Sequence, residues 1–169
     1  MPRFKDFRNL VLGVGNRLYG DDGFGPRLID KLCEKEEALP EGTCFLDAGT
    51  GASRILFDVL ISERRPPLLL ILDAVNLPGR RPGQVFELSP EELPANKRDD
   101  FCLHQLPGAD LLAELEKAGS RVRIVACQVK SIPAEMSEGL SPEVEAALAE
   151  AESLVLAELS RYPPGPRAD

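Results

Sequence analysis

The chain has 169 residues, 43% of them hydrophobic, with a formal net charge of -8 and a pI near 4.8. That length suits one domain spanning residues 1–169 and is too short for two with proper cores. An acidic chain that nowhere gathers Lys and Arg with aromatic residues excludes nucleic acid as a partner, and the lack of any apolar run near the ~18 residues of a membrane span excludes a bilayer.

The N-terminus, MPRFKDFRNLVLGVG, lacks the apolar length and cleavage site of a signal peptide, so a soluble cytoplasmic protein is expected, with monomer as the default. Asn9 to Val14, Thr43 to Asp47, Leu68 to Asp73 and Val122 to Cys127 are short apolar runs bounded by turn formers and read as strands. Three of them are almost continuously apolar, as strands covered on both faces of a parallel sheet must be. Gln84 to Leu88 reads as a fifth strand, reached from the third through the Pro78-Gly79 turn, and so short a link favours an antiparallel pair.

Helical spacing marks about Phe24 to Ala38, Ala52 to Ser62, Gly108 to Ala118 and Pro142 to Arg161. Pro26 and Pro142 suit first helical turns, where a missing N–H is harmless, and Ser141 reads as a cap. The order β-α-β-α-β-β-α-β-α predicts a three-layer α/β/α sandwich around a mostly parallel five-stranded sheet with one antiparallel strand. Residues from about 162 to 169 read as a frayed tail. Lys35 to Glu37 and Arg64-Arg65 read as solvated helix ends. Cys33, Cys44, Cys102 and Cys127 form no CxxC pair, so reduced and mostly buried thiols are expected.

Ligands of such sheets bind outside the carboxyl ends of the strands. Asp21 and Asp22 follow strand one, Asp47 closes strand two and Asp73 closes strand three, so adjacent strands would bring several carboxylates into one crevice. Like charges that close demand a cation, a proton or a donor. The single histidine, His104, precedes the third helix and could reach the same edge. Asp22, Asp73 and His104 then make a serviceable ligand set for zinc or nickel with open positions left over.

Blander readings stand beside this one: Asp21 or Asp22 as a helix cap, Asp47 and Asp73 as turn acceptors, and His104 as a surface residue. The glycine loop is no dinucleotide fingerprint, because Leu18 stands where the third glycine belongs, and no Walker lysine follows. Asp47 would still suit a ribose hydroxyl, which keeps a nucleotide-binding domain as an alternative. There is no GxSxG elbow, and Cys102 could pair with His104 only if the loop folded back on itself.

The motifs GVGNRLYGDDGFGPRL at 13–28, LDAGTGA at 46–52, ILDAVNLPGRRPG at 71–83, HQLPGADLLAELEKAG at 104–119 and SEGLSPEVEAAL at 137–148 resemble the nickel-iron hydrogenase maturation proteases. The GDDGFGP form is similar to the branch serving coenzyme F420-reducing hydrogenases. The resemblance implies an endopeptidase that trims a C-terminal extension from the hydrogenase large-subunit precursor after nickel insertion. It places the family's metal-contacting acids on Asp22 and Asp73 and its histidine on His104, around nickel carried by the precursor. Many members have glutamate where this chain has Asp22, one methylene longer.

Zinc or cadmium would also fit such a site. In the reading the resemblance implies, Gly49, Thr50 and Gly51 form a flexible loop whose free backbone groups contact the substrate's tail, with a plain tight turn as the equal alternative from the sequence. Asp22 or Asp73 would serve as general base on water, or the ion would polarise the scissile carbonyl. A non-enzymatic chaperone for nickel or for the large subunit is the competing reading.

Overall fold

The computed structural model describes residues 7–35, 41–93 and 108–162. Five strands, β1 (Asn9–Val14), β2 (Thr43–Gly49), β3 (Leu68–Val75), β4 (Val85–Leu88) and β5 (Arg121–Gln128), alternate with helices α1 (Phe24–Cys33), α2 (Ala52–Leu60), α3 (Ala109–Lys117) and α4 (Pro142–Arg161). The sheet order is β2-β1-β3-β5-β4, parallel throughout except at β4. This is the mostly parallel α/β sandwich expected.

The two faces of the sheet carry separate apolar clusters. On one, Val11, Leu68, Leu70 and Leu72 meet Leu28, Ile29 and Leu32 of α1 and Val144, Leu148 and Val155 of α4. On the other, Leu10, Leu12, Leu69 and Ile71 meet Leu56 and Val59 of α2 and Leu112 and Leu115 of α3. Burial on both faces explains why β1 and β3 are apolar without alternation. With period two, Asp73 belongs to the face of Leu69, Ile71 and Val75, the side of α2 and α3.

The glycines of the first loop serve close packing. A Cβ on Gly25 would lie 2.3 Å from the Leu72 carbonyl oxygen and 2.4 Å from that of Val14, so the start of α1 sits directly on the ends of β1 and β3. Gly15 has φ +129°, and a Cβ there would lie 1.8 Å from the Asp22 carbonyl oxygen.

Several expectations are corrected. β4 is antiparallel, but it pairs with β5, which lies between it and β3. The nine-residue link 76–84 reaches about 30 Å when extended, ample for the roughly 10 Å needed to skip one strand. The Ser141 side chain makes no cap to α4, since its hydroxyl donates to Asp21 instead. Lys35 is more than a solvated helix end, because its Nζ lies 2.5 Å from the buried Glu152 carboxylate. Cys127 is buried, Cys44 half-buried and Cys33 exposed, while Cys102 lies outside the described residues. Burial pushes the Cys127 thiol up to about 12.

Candidate active site

From β1 the chain connects to β2 on one side, and β3 lies on the other, so the crevice at the carboxyl ends of β1 and β3 is the topological switch point. A short 3-10 helix, Gly20–Gly23, sits there and leads directly into α1. It presents two adjacent aspartates that have opposite circumstances.

Asp21 is saturated. Its carboxylate accepts the backbone N–H groups of Lys130 (2.9 Å), Ser131 (3.4 Å) and Ser141 (2.6 Å), and the Ser141 hydroxyl at 3.0 Å. It does not cap its own helix; it ties the first loop to the chain after β5 and to the start of α4. Asp22, 4% exposed, accepts one bond among the described residues, from the Asn16 N–H at 2.8 Å. Burial raises its pKa above the ordinary carboxyl value, against the opposing pull of that bond.

Asp73 closes the pair from β3 and is wholly buried. Its Oδ1 accepts the Ala74 N–H at 2.8 Å, whereas its Oδ2 has no partner among the described residues. Burial first, and then the charge of Asp22, push its pKa well above the ordinary range. Two poorly compensated carboxyls therefore face each other's field with no lysine or arginine paired to either among the described residues. Such a pair retains a proton or takes a cation, and the unpartnered oxygen is a vacant acceptor for either.

His104, the third expected ligand, lies outside the described residues. Among the described residues no three His, Cys, Asp or Glu side chains are grouped to hold a metal. Asp22 and Asp73 thus supply carboxylate oxygens suited to a divalent ion but not a closed set. Asp47, the fourth acid at this edge, is committed elsewhere. Its Oδ2 accepts Nε and Nη2 of Arg17 at 3.1 and 2.9 Å, and its Oδ1 accepts the Gly49 N–H.

Arg17 also binds Asp30 through both terminal nitrogens and donates to the Pro26 carbonyl, joining β2, the first loop and α1. Sequence reading missed it, although an arginine between a glycine loop and two acid-bearing elements was the available signal. Gln128, buried at the end of β5, was missed as well. It accepts the Leu77 N–H and donates to Asn76, fixing the turn after β3.

The glycine turn after β2 is tight. Gly49 sits at φ +51°, its N–H and carbonyl engaged with Asp47 and Gly15, and Gly51 bonds back to Ala48 and forward to α2. The expectation of free backbone groups there fails for Gly49 and Gly51, leaving exposed Thr50 as the accessible member.

A doubly wound sheet with two buried, poorly compensated carboxyls at its switch point defines the class: an α/β protein with its candidate site at the carboxyl edge of the sheet. The family model for hydrogenase maturation proteases matches residues 26–158. The chain is 36% identical over 155 residues to the hydrogenase 2 maturation protease of Escherichia coli, covering 90% of each. It is 32% identical over 157 residues to coenzyme F420 hydrogenase subunit delta of Methanothermobacter thermautotrophicus, covering 91% of this chain and 96% of the relative. The solved structure of the hydrogenase maturating endopeptidase HybD from Escherichia coli superposes with TM-score 0.72 at 34% identity, covering 92% of this chain and 94% of that one. The chain belongs to the hydrogenase maturation protease family.

Proposed function

We propose that this protein is an endopeptidase that removes the C-terminal extension of a nickel-iron hydrogenase large-subunit precursor once nickel is inserted. The observation that carries the reading is the acid pair: a fully buried Asp73 with an unpartnered oxygen beside a buried Asp22, in a chain of the maturation protease family.

The nickel belongs to the substrate. Asp22, Asp73 and His104 contact it when the precursor docks, and zinc or cadmium can stand in for it. In the free protein burial of both carboxyls, and the charge of Asp22 acting on Asp73, favour the protonated form of the pair. An arriving cation removes that penalty, so the pair releases the proton on docking and gains a carboxylate competent to take one from water. A precursor without nickel offers the pair no cation to take the proton's place and forgoes the carboxylate–metal contacts, so it docks poorly, which makes cleavage conditional on metal insertion. The nucleophile is water. The Cys127 thiol is held protonated, and the Ser141 hydroxyl is engaged in binding Asp21.

Thr50 contacts the substrate tail. The protein acts in the cytoplasm as a monomeric single domain, without nucleic acid or membrane as partners. Asp22→Asn, Asp73→Asn and His104→Ala should each abolish processing of nickel-loaded precursor while the circular dichroism spectrum stays native. Wild-type processing by all three would overturn the site. A precursor held but never cut by the wild type would make the protein a chaperone instead.

A further inference from the structure

The Asp22 carboxylate is aimed by a piece of loop whose own support lies outside the acid pair. Residues 15–17 pack against the backbone on both sides of it. A Cβ on Gly15 would lie 1.8 Å from the Asp22 carbonyl oxygen, and a Cβ on Gly23 would lie 3.1 Å from the Arg17 Cα. Between these two contacts the Asn16 N–H makes its 2.8 Å bond to Asp22 Oδ2, the one bond that carboxylate accepts among the described residues. Residues 15–17 are therefore a brace for Asp22.

The geometry points to Arg17 as a positioning residue for the acid pair: its guanidinium clamps the brace to β2 and α1 and, through Asn16, fixes where the Asp22 carboxylate stands. The reaction that Asp22 serves is taken from the proposed function, whereas the placement of Asp22 is a property of the chain alone.

Three observations support it. First, the clamp spans separate elements with directional bonds. Nη1 and Nη2 of Arg17 hold both oxygens of Asp30 on α1, Nη2 also donates to the Pro26 carbonyl, and Nε and Nη2 reach Asp47 Oδ2 on β2 at 3.1 and 2.9 Å. A planar guanidinium can take one acid bidentately and a second along another edge, which a lysine cannot do. A lone exposed ion pair contributes little, but a bidentate contact within a network of charges does hold a geometry.

Second, the brace has few other ties on that side. Among the described residues, the other hydrogen bond from residues 15–17 to β2 or α1 is that of the Gly15 N–H to the Gly49 carbonyl at 3.1 Å. The Asn16 side chain bonds within the loop, accepting the Leu18 N–H at 3.0 Å. Gly15, at φ +129°, gives this stretch a backbone freedom that an outside restraint must offset.

Third, the turn that carries Asp22 is anchored independently on its far side, where the Asp21 carboxylate holds the N–H groups of Lys130, Ser131 and Ser141. Loss of the clamp therefore frees the Asn16 side while leaving the Asp21 side in place, so a positioning role separates from a general loss of stability.

The test uses the full-length protein. Arg17→Ala, Arg17→Lys and Asp30→Ala are compared with Lys117→Ala, which removes an equally exposed ion pair, to Glu114, on α3. Amide exchange is followed residue by residue by NMR, and cleavage of nickel-loaded large-subunit precursor gives kcat and KM. In Arg17→Ala the Asn16 amide should exchange about tenfold faster, with the Lys130 and Ser141 amides within about twofold of wild type. Its kcat should fall about tenfold and its KM change by less than about threefold, because the clamp stands behind the acid that reacts.

Arg17→Lys and Asp30→Ala should fall between Arg17→Ala and wild type, Arg17→Ala/Asp30→Ala should be no worse than Arg17→Ala, and Lys117→Ala should match wild type. An unchanged Asn16 amide in Arg17→Ala, equal acceleration at Asn16, Lys130 and Ser141, or faster Asn16 exchange with full kcat would overturn the positioning role while leaving the protease. If the wild type does not cut the precursor, the protease reading falls alone, since the contrast between the Asn16 and Ser141 amides still decides whether Arg17 places Asp22.

Discussion

Replacing Asp73 by asparagine should stabilise the metal-free protein at neutral pH. Asp73 is wholly buried, its Oδ2 has no partner among the described residues, and Asp22 repels its charge. A carboxyl whose folded pKa is raised binds more protons when folded than when unfolded, so stability falls as pH rises from the ordinary value of 3.8 toward the folded value. Below 3.8 both states are protonated and the penalty is absent. At pH 7 the ceiling on this penalty is the work of holding a proton across 3.2 pH units, about 4 kcal/mol at ~1.36 kcal/mol per unit.

Asn is neutral and nearly isosteric, so the variant should gain roughly 1–4 kcal/mol at pH 7, less what its amide loses in an unpaired site. That corresponds to several degrees in Tm for a domain of this size. The assay is urea unfolding of both proteins from pH 4 to 8 with chelator present. The difference should open as pH rises. A pH-independent difference, or a variant less stable than wild type at pH 7, would refute the reasoning that Asp73 is an uncompensated carboxyl.

Three further outcomes follow from the same contacts. Asp21→Ala strands three backbone N–H groups and should cost about 3–5 kcal/mol by urea unfolding, with faster amide exchange at Lys130, Ser131 and Ser141. Gly25→Ala forces a Cβ against the Leu72 and Val14 carbonyls and should lower stability by at least about 3 kcal/mol, read as a Tm drop of roughly 6 °C or more. Zinc added to the free protein should raise Tm and release protons into a weak buffer by calorimetry. Both effects should vanish in Asp22→Asn.

The sequence disclosed the layers because the signals were local. Unbroken apolar runs marked β1 and β3, and Pro142 after Ser141 fixed the start of α4, whose Pro142–Arg161 span matches the expected one. The carboxyl-edge rule then brought Asp22 and Asp73 together without any contact being known.

What was missed depended on partners far along the chain. Asp21 looked like a cap from its neighbours, but its acceptors serve residues 109 to 120 positions away. Lys35 finds its carboxylate on α4, and Arg17 finds Asp47 on β2. β4 was assigned its orientation correctly but the wrong neighbour, because link length limits reach without choosing which strand fills the space between.

In the proposed function the acid pair reads nickel in the precursor before cutting it. The direct measurement incubates the purified protein with nickel-loaded and with nickel-free large-subunit precursor and follows loss of the C-terminal extension by mass spectrometry. Cleavage of the loaded precursor alone, abolished by Asp73→Asn, is the expected result. Equal cleavage of both forms would contradict it.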